Sequence, residues 1–262
     1  MKTSPLISCL CITHNNPKQL QLVINCFNAQ TYANKELMVL FEGDNTYVKG
    51  LSNHNRNKDI YFVEVPANPK LTLGELRNIA VEQCNGEYFC QWDDDDWYAN
   101  NRLQVQMDAI RQSCKPASML LYWLMYDNVN KSAYLSPFRL WEGSILCKKS
   151  IITPECNYAS LIKGEDTILL GNLLNSNSIF PVINPSLYIY VFHGKNTWDH
   201  NHFNLYYNRG KQLSDRAGGL IEEILNGQYS VEESTALLNQ PTFLEEIEFR
   251  FELIDRYSLR MV

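Results

Sequence analysis

Short, nearly continuous apolar runs alternate along the first half of the chain with segments whose apolar residues recur at helical spacing. Residues 6–12 form one such run, bounded by Pro5 and by Thr13-His14-Asn15-Asn16, the pattern of a strand buried on both faces. Asn16 is suited to cap the next helix and Pro17 to open it, and Leu20, Val23, Ile24 and Phe27 mark that helix's inner face. Residues 37–41 read as a second buried strand, ending at Glu42-Gly43-Asp44-Asn45, and 60–65 as a third, stopped by Pro66. A helix over 72–84, with Leu73, Leu76 and Ala80 inward, closes at Asn85-Gly86. Strand, helix and strand joined by polar turns make a parallel βαβ beginning. A fourth strand, 87–92, then runs straight into Asp93-Asp94-Asp95-Asp96.

Beyond the aspartates the pattern predicts a helix over 101–113, then strands over 119–125 and 133–138 separated by polar residues 127–131, an antiparallel hairpin. A strand over 144–147 and a helix over 162–174 follow, the helix opening on Gly164-Glu165-Asp166-Thr167. The last strand, 187–192, delivers His193-Gly194-Lys195-Asn196-Thr197-Trp198. From about residue 214 helix formers dominate, and Leu244, Ile247, Phe251 and Ile254 outline one apolar face. The expected fold class is α/β, a Rossmann-like, mixed and largely parallel sheet flanked by helices, with a C-terminal helical appendage.

At 262 residues the chain is long enough for one large core, and 45% hydrophobic with 20% charged residues is an ordinary folded composition. Its formal charge of -6 speaks against nucleic acid or a general affinity for anionic membranes. A phosphate-bearing ligand would therefore need local groups or a metal to hold it. The eight cysteines show no CxxC pair or zinc spacing and mostly lie in apolar runs, which predicts buried thiols in a reducing compartment. With no signal-peptide pattern and no run of membrane-spanning length, a soluble, cytoplasmic protein is expected, with peripheral membrane association left open.

Four adjacent carboxylates repel one another. Either they are a solvated acidic face, or something positive sits among them. Their place at the end of a buried strand favours the second reading, because open α/β sheets bind ligands just outside the carboxyl ends of their strands.

With these elements placed, the chain resembles the family-two glycosyltransferases, inverting enzymes of the GT-A fold that use nucleotide-diphosphate sugars. Four stretches carry the resemblance in order: Ile12-Thr13-His14-Asn15, Leu73-Gly74-Glu75-Leu76-Arg77-Asn78, Gly86-Glu87-Tyr88 leading into the four aspartates, and Gly164-Glu165-Asp166-Thr167. The resemblance implies a GT-A domain over 1–213, with a nucleotide-sugar half over 1–113 and an acceptor half over 114–213, and a helical extension over 214–262. Its DxD motif falls on Asp93 and Asp95. Manganese or magnesium would be held by Asp95, Asp96 and His193, since such ions take oxygen ligands and neutralise a departing diphosphate. At least one carboxylate of the run would instead be solvated or hold the loop.

The resemblance assigns the nucleotide-sugar to Thr13, His14, Asn15, Glu42, Asp44, Arg77, Asp93 and Asp94. Glu42 stands where the family commonly has an aspartate that reads uracil. The base falls in the pair Glu165-Asp166, with Asp166 the positional match. Trp141 and Trp198 are the candidate stacking surfaces for an acceptor sugar. The implied activity is metal-dependent inverting transfer from a UDP-sugar to a hydroxyl of a saccharide or glycolipid, in cell-surface polysaccharide synthesis. The rival readings are a sugar-nucleotide hydrolase or nucleotidyltransferase with the same metal site, or a silent saccharide- or nucleotide-binding protein.

Overall fold

The computed structural model describes residues 4–14 and 17–248. β1 (Ile7–Thr13), β2 (Lys35–Glu42), β3 (Ile60–Val65) and β4 (Tyr88–Gln91) stand in the order β4-β1-β2-β3, all parallel. Successive side chains of a strand point to opposite faces, and each face has its own core here. Cys9 and Cys11 of β1, with Leu37, Val39 and Phe41 of β2, pack under α1 (Pro17–Asn28), which supplies Leu20, Val23 and Phe27. Leu10, Met38 and Leu40 face the other way, against Leu76, Ala80 and Val81 of α3 (Leu73–Gln83). Burying such a side chain is worth about 1.5–3 kcal/mol, so both faces fix the strand register. α2 (Thr46–His54) fills the β2–β3 connection, capped by the Asn45 side chain, which accepts from the Val48 amide at 3.1 Å.

After the aspartates come β5 (Trp97–Tyr98), α4 (Arg102–Ser113), β6 (Ala117–Leu120), β7 (Leu124–Asp127), β8 (Ser132–Leu135) and β9 (Leu146–Lys148). β9 runs antiparallel between β4 and β6, and β10 (Ile179–Val182) lies parallel to β6, completing a sheet in the order β10-β6-β9-β4-β1-β2-β3. α5 (Glu165–Asn175) precedes β10. A second sheet, β12-β8-β7-β11-β5, contains β11 (Tyr188–Phe192) and β12 (Lys211–Gln212), with α6 (His200–Tyr207) between them in sequence. The remaining helices are α7 (Asp215–Leu225), α8 (Val231–Leu238) and α9 (Pro241–Glu248). Ala217, Ile221 and Ile224 of α7 join the same core as Ala133 and Leu135 of β8.

The α/β class with a largely parallel main sheet is as expected. The apolar run 119–125 is divided between two sheets, because Leu121, Tyr122 and Trp123 between β6 and β7 are all buried and no polar residue marks the break. The hairpin forms between β7 and β8. α2, β5, β10 and α6 have no counterpart in the pattern; α2 buries only Val48, so it carries almost no apolar periodicity. Phe251 and Ile254 lie outside the described residues. Among the described residues no helix is long and apolar enough to cross a membrane, and the cysteines are free thiols.

α3 matters most for the site, and its position depends on Gly74. A β-carbon there would lie 1.7 Å from the Ala159 carbonyl oxygen, and the Gly74 amide donates to Leu161 O at 3.1 Å. Thr72 and Glu75 cap the same helix end reciprocally. Gly74→Ala is expected to destabilise the fold by about 1–3 kcal/mol, the range for overpacked sites, read as a lower urea midpoint.

Candidate active site

The sheet brings the site together at one edge. Continuing the β1–β4 register past Leu10↔Gln91 sets Thr13 level with Asp94, and the Thr13 hydroxyl donates to Asp94 Oδ2 at 2.6 Å. The turn that follows is held from beneath. Arg102 donates to Gln91 O at 3.1 Å, its fully buried guanidinium enclosed by the rings of Trp92, Tyr98 and Tyr188 at 5.1, 4.6 and 5.2 Å. The Tyr98 hydroxyl donates to Asp93 O at 3.1 Å.

On this turn the four carboxylates diverge. Asp93 accepts from Arg77 at 2.9 Å and from the Gln91 side-chain Nε2 at 3.2 Å. Asp95 meets His193 Nε2 at 3.0 Å and accepts from Asn196 at 3.2 Å. Asp96, expected among the metal ligands, is fully buried and lines no part of the cleft. Its Oδ1 accepts the Val191 amide at 2.9 Å and its Oδ2 the Tyr188 hydroxyl, while burial, and then Asp95 and Asp93, push its pKa well up. Both of its oxygens are thus spent on β11.

Arg77 is buried between two carboxylates, with Nε donating to Glu165 Oε1 at 2.9 Å and Nη2 to Asp93. Burial opposes its charge, but Asp93 and Glu165 outweigh that and hold its pKa above the ordinary value. Glu165, 4% exposed, is therefore a partner of Arg77 on the wall of the cleft. Asp166 is different. Burial, followed by the nearby Glu142 carboxylate, pushes it up to about 6 against the opposing pull of Arg77.

Two adjoining chambers that share lining residues flank the aspartates. The smaller, about 150 Å³, is lined by Arg77, Asp93, Trp141, Glu165, Asp166 and Trp198 among others. The larger, about 570 Å³, is lined by Thr13, His14, Phe41, Glu42, Lys70 and Lys195 among others, and falls in the 300–1,000 Å³ range of small-molecule sites. Ile12, Leu73, Asp94, Asp95, Ile162, Asn196 and Thr197 line both.

Glu42 pairs with Lys70 through one oxygen; the other, Oε1, is buried with no hydrogen-bond partner among the described residues. Asp44 faces away at 84% side-chain exposure, paired with Lys49 at 3.1 Å, and lines neither chamber. Glycine at 43 turns the chain there, with a positive φ of 62°. Asn15 lies outside the described residues. Trp141 stacks on Trp123 at 4.8 Å, and Trp198 stacks on His202 at 4.1 Å with the Lys163 ammonium 5.3 Å from its centroid. Asn196, Lys70 and Tyr190 are cleft residues that no motif singled out: the first two lie in loops and Tyr190 lies in the middle of β11, which the fold brings beside the aspartates.

Among the described residues no three His, Cys, Asp or Glu side chains gather as a metal site. The pair Asp95–His193 nonetheless suits one. Neighbouring ligands of an ion with bonds of about 2.1 Å lie roughly 3 Å apart, which matches their 3.0 Å separation.

The family model described as Glycosyl transferase family 2 matches residues 8–145, more than half of the chain, and the chain belongs to that family. A Haemophilus influenzae protein named as an uncharacterized glycosyltransferase is 30% identical over 114 residues, 42% of this chain and 44% of that one. The Escherichia coli O-antigen biosynthesis glycosyltransferase WbnJ is 25% identical over 213 residues, 73% of this chain and 82% of its own length. Among solved structures, S. aureus TarS 1-349 in complex with UDP-GlcNAc superposes with a TM-score of 0.58 at 13% identity, covering 73% of this chain and 60% of that one. The chain thus spans less than two thirds of the Haemophilus relative and of TarS 1-349. The likeness to TarS bears on the fold, which is of the GT-A type.

The Arg77 bridge can be tested without substrate. Arg77→Met leaves Asp93 and Glu165 facing each other uncompensated, and the expected cost is about 3–5 kcal/mol, as for a broken buried ion pair. Urea unfolding of the variant measures it.

Proposed function

We propose that the protein is an inverting glycosyltransferase that moves a sugar from a UDP-sugar to a hydroxyl of a saccharide or glycolipid acceptor, with a divalent cation, in polysaccharide synthesis. The observation that carries this reading is the partition of one cleft by Asp94, Asp95 and Asn196. A roomier chamber ends at Thr13 and Glu42, and a smaller one at Asp166 and Trp141. TarS 1-349 in complex with UDP-GlcNAc and the O-antigen role in the name of WbnJ support the donor and the setting.

The donor's nucleoside would occupy the larger chamber. Glu42 Oε1 offers an acceptor to the imide N–H of uracil, and Lys70 keeps the buried carboxylate neutralised. Lys195, on the same chamber wall, adds positive charge for the diphosphate. Asp95 and His193 would hold Mn²⁺ or Mg²⁺, which when bound neutralises the leaving diphosphate.

Asp166 acts as general base, taking the proton from the acceptor hydroxyl. The acceptor oxygen then bonds to C1 of the sugar as the C1–O bond to the diphosphate breaks, and UDP leaves with the bonding pair. Arg77 keeps Glu165 engaged, which leaves Asp166 as the carboxylate open to the acceptor. Trp141, backed by Trp123, presents a flat wall beside it.

Asp166→Asn is expected to retain UDP-sugar binding and lose transfer by about 10²-fold or more, the usual worth of a general base; calorimetry with single-turnover assays separates the two. Because the base works as the carboxylate and its pKa is raised to about 6, transfer should climb as pH rises through about 6 and level off above. Asp95→Ala should abolish the gain in UDP affinity that Mn²⁺ confers, leaving metal-free binding intact in the same calorimetric titration.

A further inference from the structure

The β5–β11 ladder is short. Tyr98 pairs with Tyr188 and Trp97 with Ile189, antiparallel, and there the pairing ends. β11 continues to Phe192 on its other edge, where it pairs with β7 as far as Phe192↔Asp127. The edge that β5 abandons still carries the amide and carbonyl of Val191. A buried backbone group left unpaired is costly, and neither is left so. The Asp96 carboxylate takes the Val191 amide at 2.9 Å, and the Asn196 side chain donates to the Val191 carbonyl at 2.8 Å. Asn196 also receives the His193 amide on its Oδ1 at 2.9 Å and donates to Asp95 at 3.2 Å.

Two covalent neighbours turn this edge repair into a positioning device. Asp96 follows Asp95 directly, and Val191 stands two residues before His193. The bond from Asp96 to Val191 therefore joins the two chain segments whose side chains meet at 3.0 Å in the cleft. The second oxygen of Asp96 accepts from Tyr188, three residues earlier on the same strand, so the carboxylate grips β11 at two points and resists sliding.

We propose that Asp96 is a positioning residue for the cation site. It touches neither the ion nor the donor, and by continuing the β5–β11 pairing with its side chain it sets the separation of Asp95 and His193. The proposal rests on the reading of Asp95 and His193 as cation ligands. It explains why an acidic run can contain a fully buried member: the carboxylate is the side chain in this sequence position with two acceptors to offer two donors on one strand.

The test is Mn²⁺ binding by calorimetry, with the metal alone and with UDP present, alongside UDP binding in chelator. Asp96→Asn can still accept the Val191 amide, and the Tyr188 hydroxyl can turn to accept from its amide, so its Mn²⁺ affinity should stay within about threefold of wild type. Asp96→Ala should lose about 10–100-fold in Mn²⁺ affinity, as supporting residues around metal ligands do, with chelator-state UDP binding unchanged. Should the alanine variant not fold, Tyr188→Phe, which loosens the carboxylate without removing it, should weaken Mn²⁺ several-fold. Wild-type Mn²⁺ affinity in Asp96→Ala, or in Tyr188→Phe where that variant decides, overturns the proposal. So does a loss in Asp96→Asn as large as in Asp96→Ala, which would make the charge itself a ligand. Wild-type protein that binds no Mn²⁺ overturns instead the cation reading on which the proposal stands.

Discussion

Four carboxylates in consecutive positions cannot be left to face one another, and the rest of the site follows from how this chain separates them. Two adjacent unit charges at 4 Å repel by about 4 kcal/mol at an effective dielectric near 20. Each aspartate is therefore given to a different element: Asp93 to Arg77 of α3, Asp94 to Thr13 of β1, Asp95 to His193 after β11, and Asp96 to the backbone of β11 itself. Each of these hydrogen bonds also docks its partner's segment against the turn, with Arg77 bringing a full positive charge. Asp96 stays under burial and the fields of Asp95 and Asp93, which push its pKa up. The sheet end, α3 and the last strand thus converge on these four residues.

Arg77 extends the same logic across the molecule. Its guanidinium reaches Asp93 on one side and Glu165 at the start of α5 on the other, so the two walls of the smaller chamber share one cation. The consequence for chemistry lies in what the arginine leaves alone. Glu165 is hydrogen-bonded by Arg77, whereas for Asp166, one residue on, burial and then Glu142 press the pKa upward against the pull of Arg77 and a backbone hydrogen bond. Burial raises both carboxylates, but the hydrogen bond from Arg77 falls to Glu165, so the two neighbours stand in unlike environments.

Much of this was legible in the chain because it rests on local pattern. Apolar runs ending in polar turns predicted β1 to β4, and parallel strands put their carboxyl ends, with Thr13, Glu42 and the aspartates, on one edge. What the pattern left out depends on long-range pairing. β5 is two residues long and exists only because β11 passes beside it, and without β5 nothing marks Asp96 as inward-facing. The resemblance assigns Asp44 to the nucleotide-sugar, but after Gly43, with its positive φ, it turns out to Lys49. Asn196 sits in a loop whose motif value lay in His193, and its part in holding both Asp95 and Val191 is visible only once the fold brings residues about a hundred positions apart together.

The central claim is that one cleft holds a nucleotide-sugar on one side of the aspartates and an acceptor on the other. Its most direct measurement is UDP release from a panel of nucleotide sugars, with Mn²⁺ or chelator and with or without a mixture of saccharide acceptors. The account predicts release from a UDP-sugar that requires both the cation and an acceptor. Equal release without any acceptor would mark a hydrolase, and release undiminished by chelator would contradict the role given to Asp95 and His193.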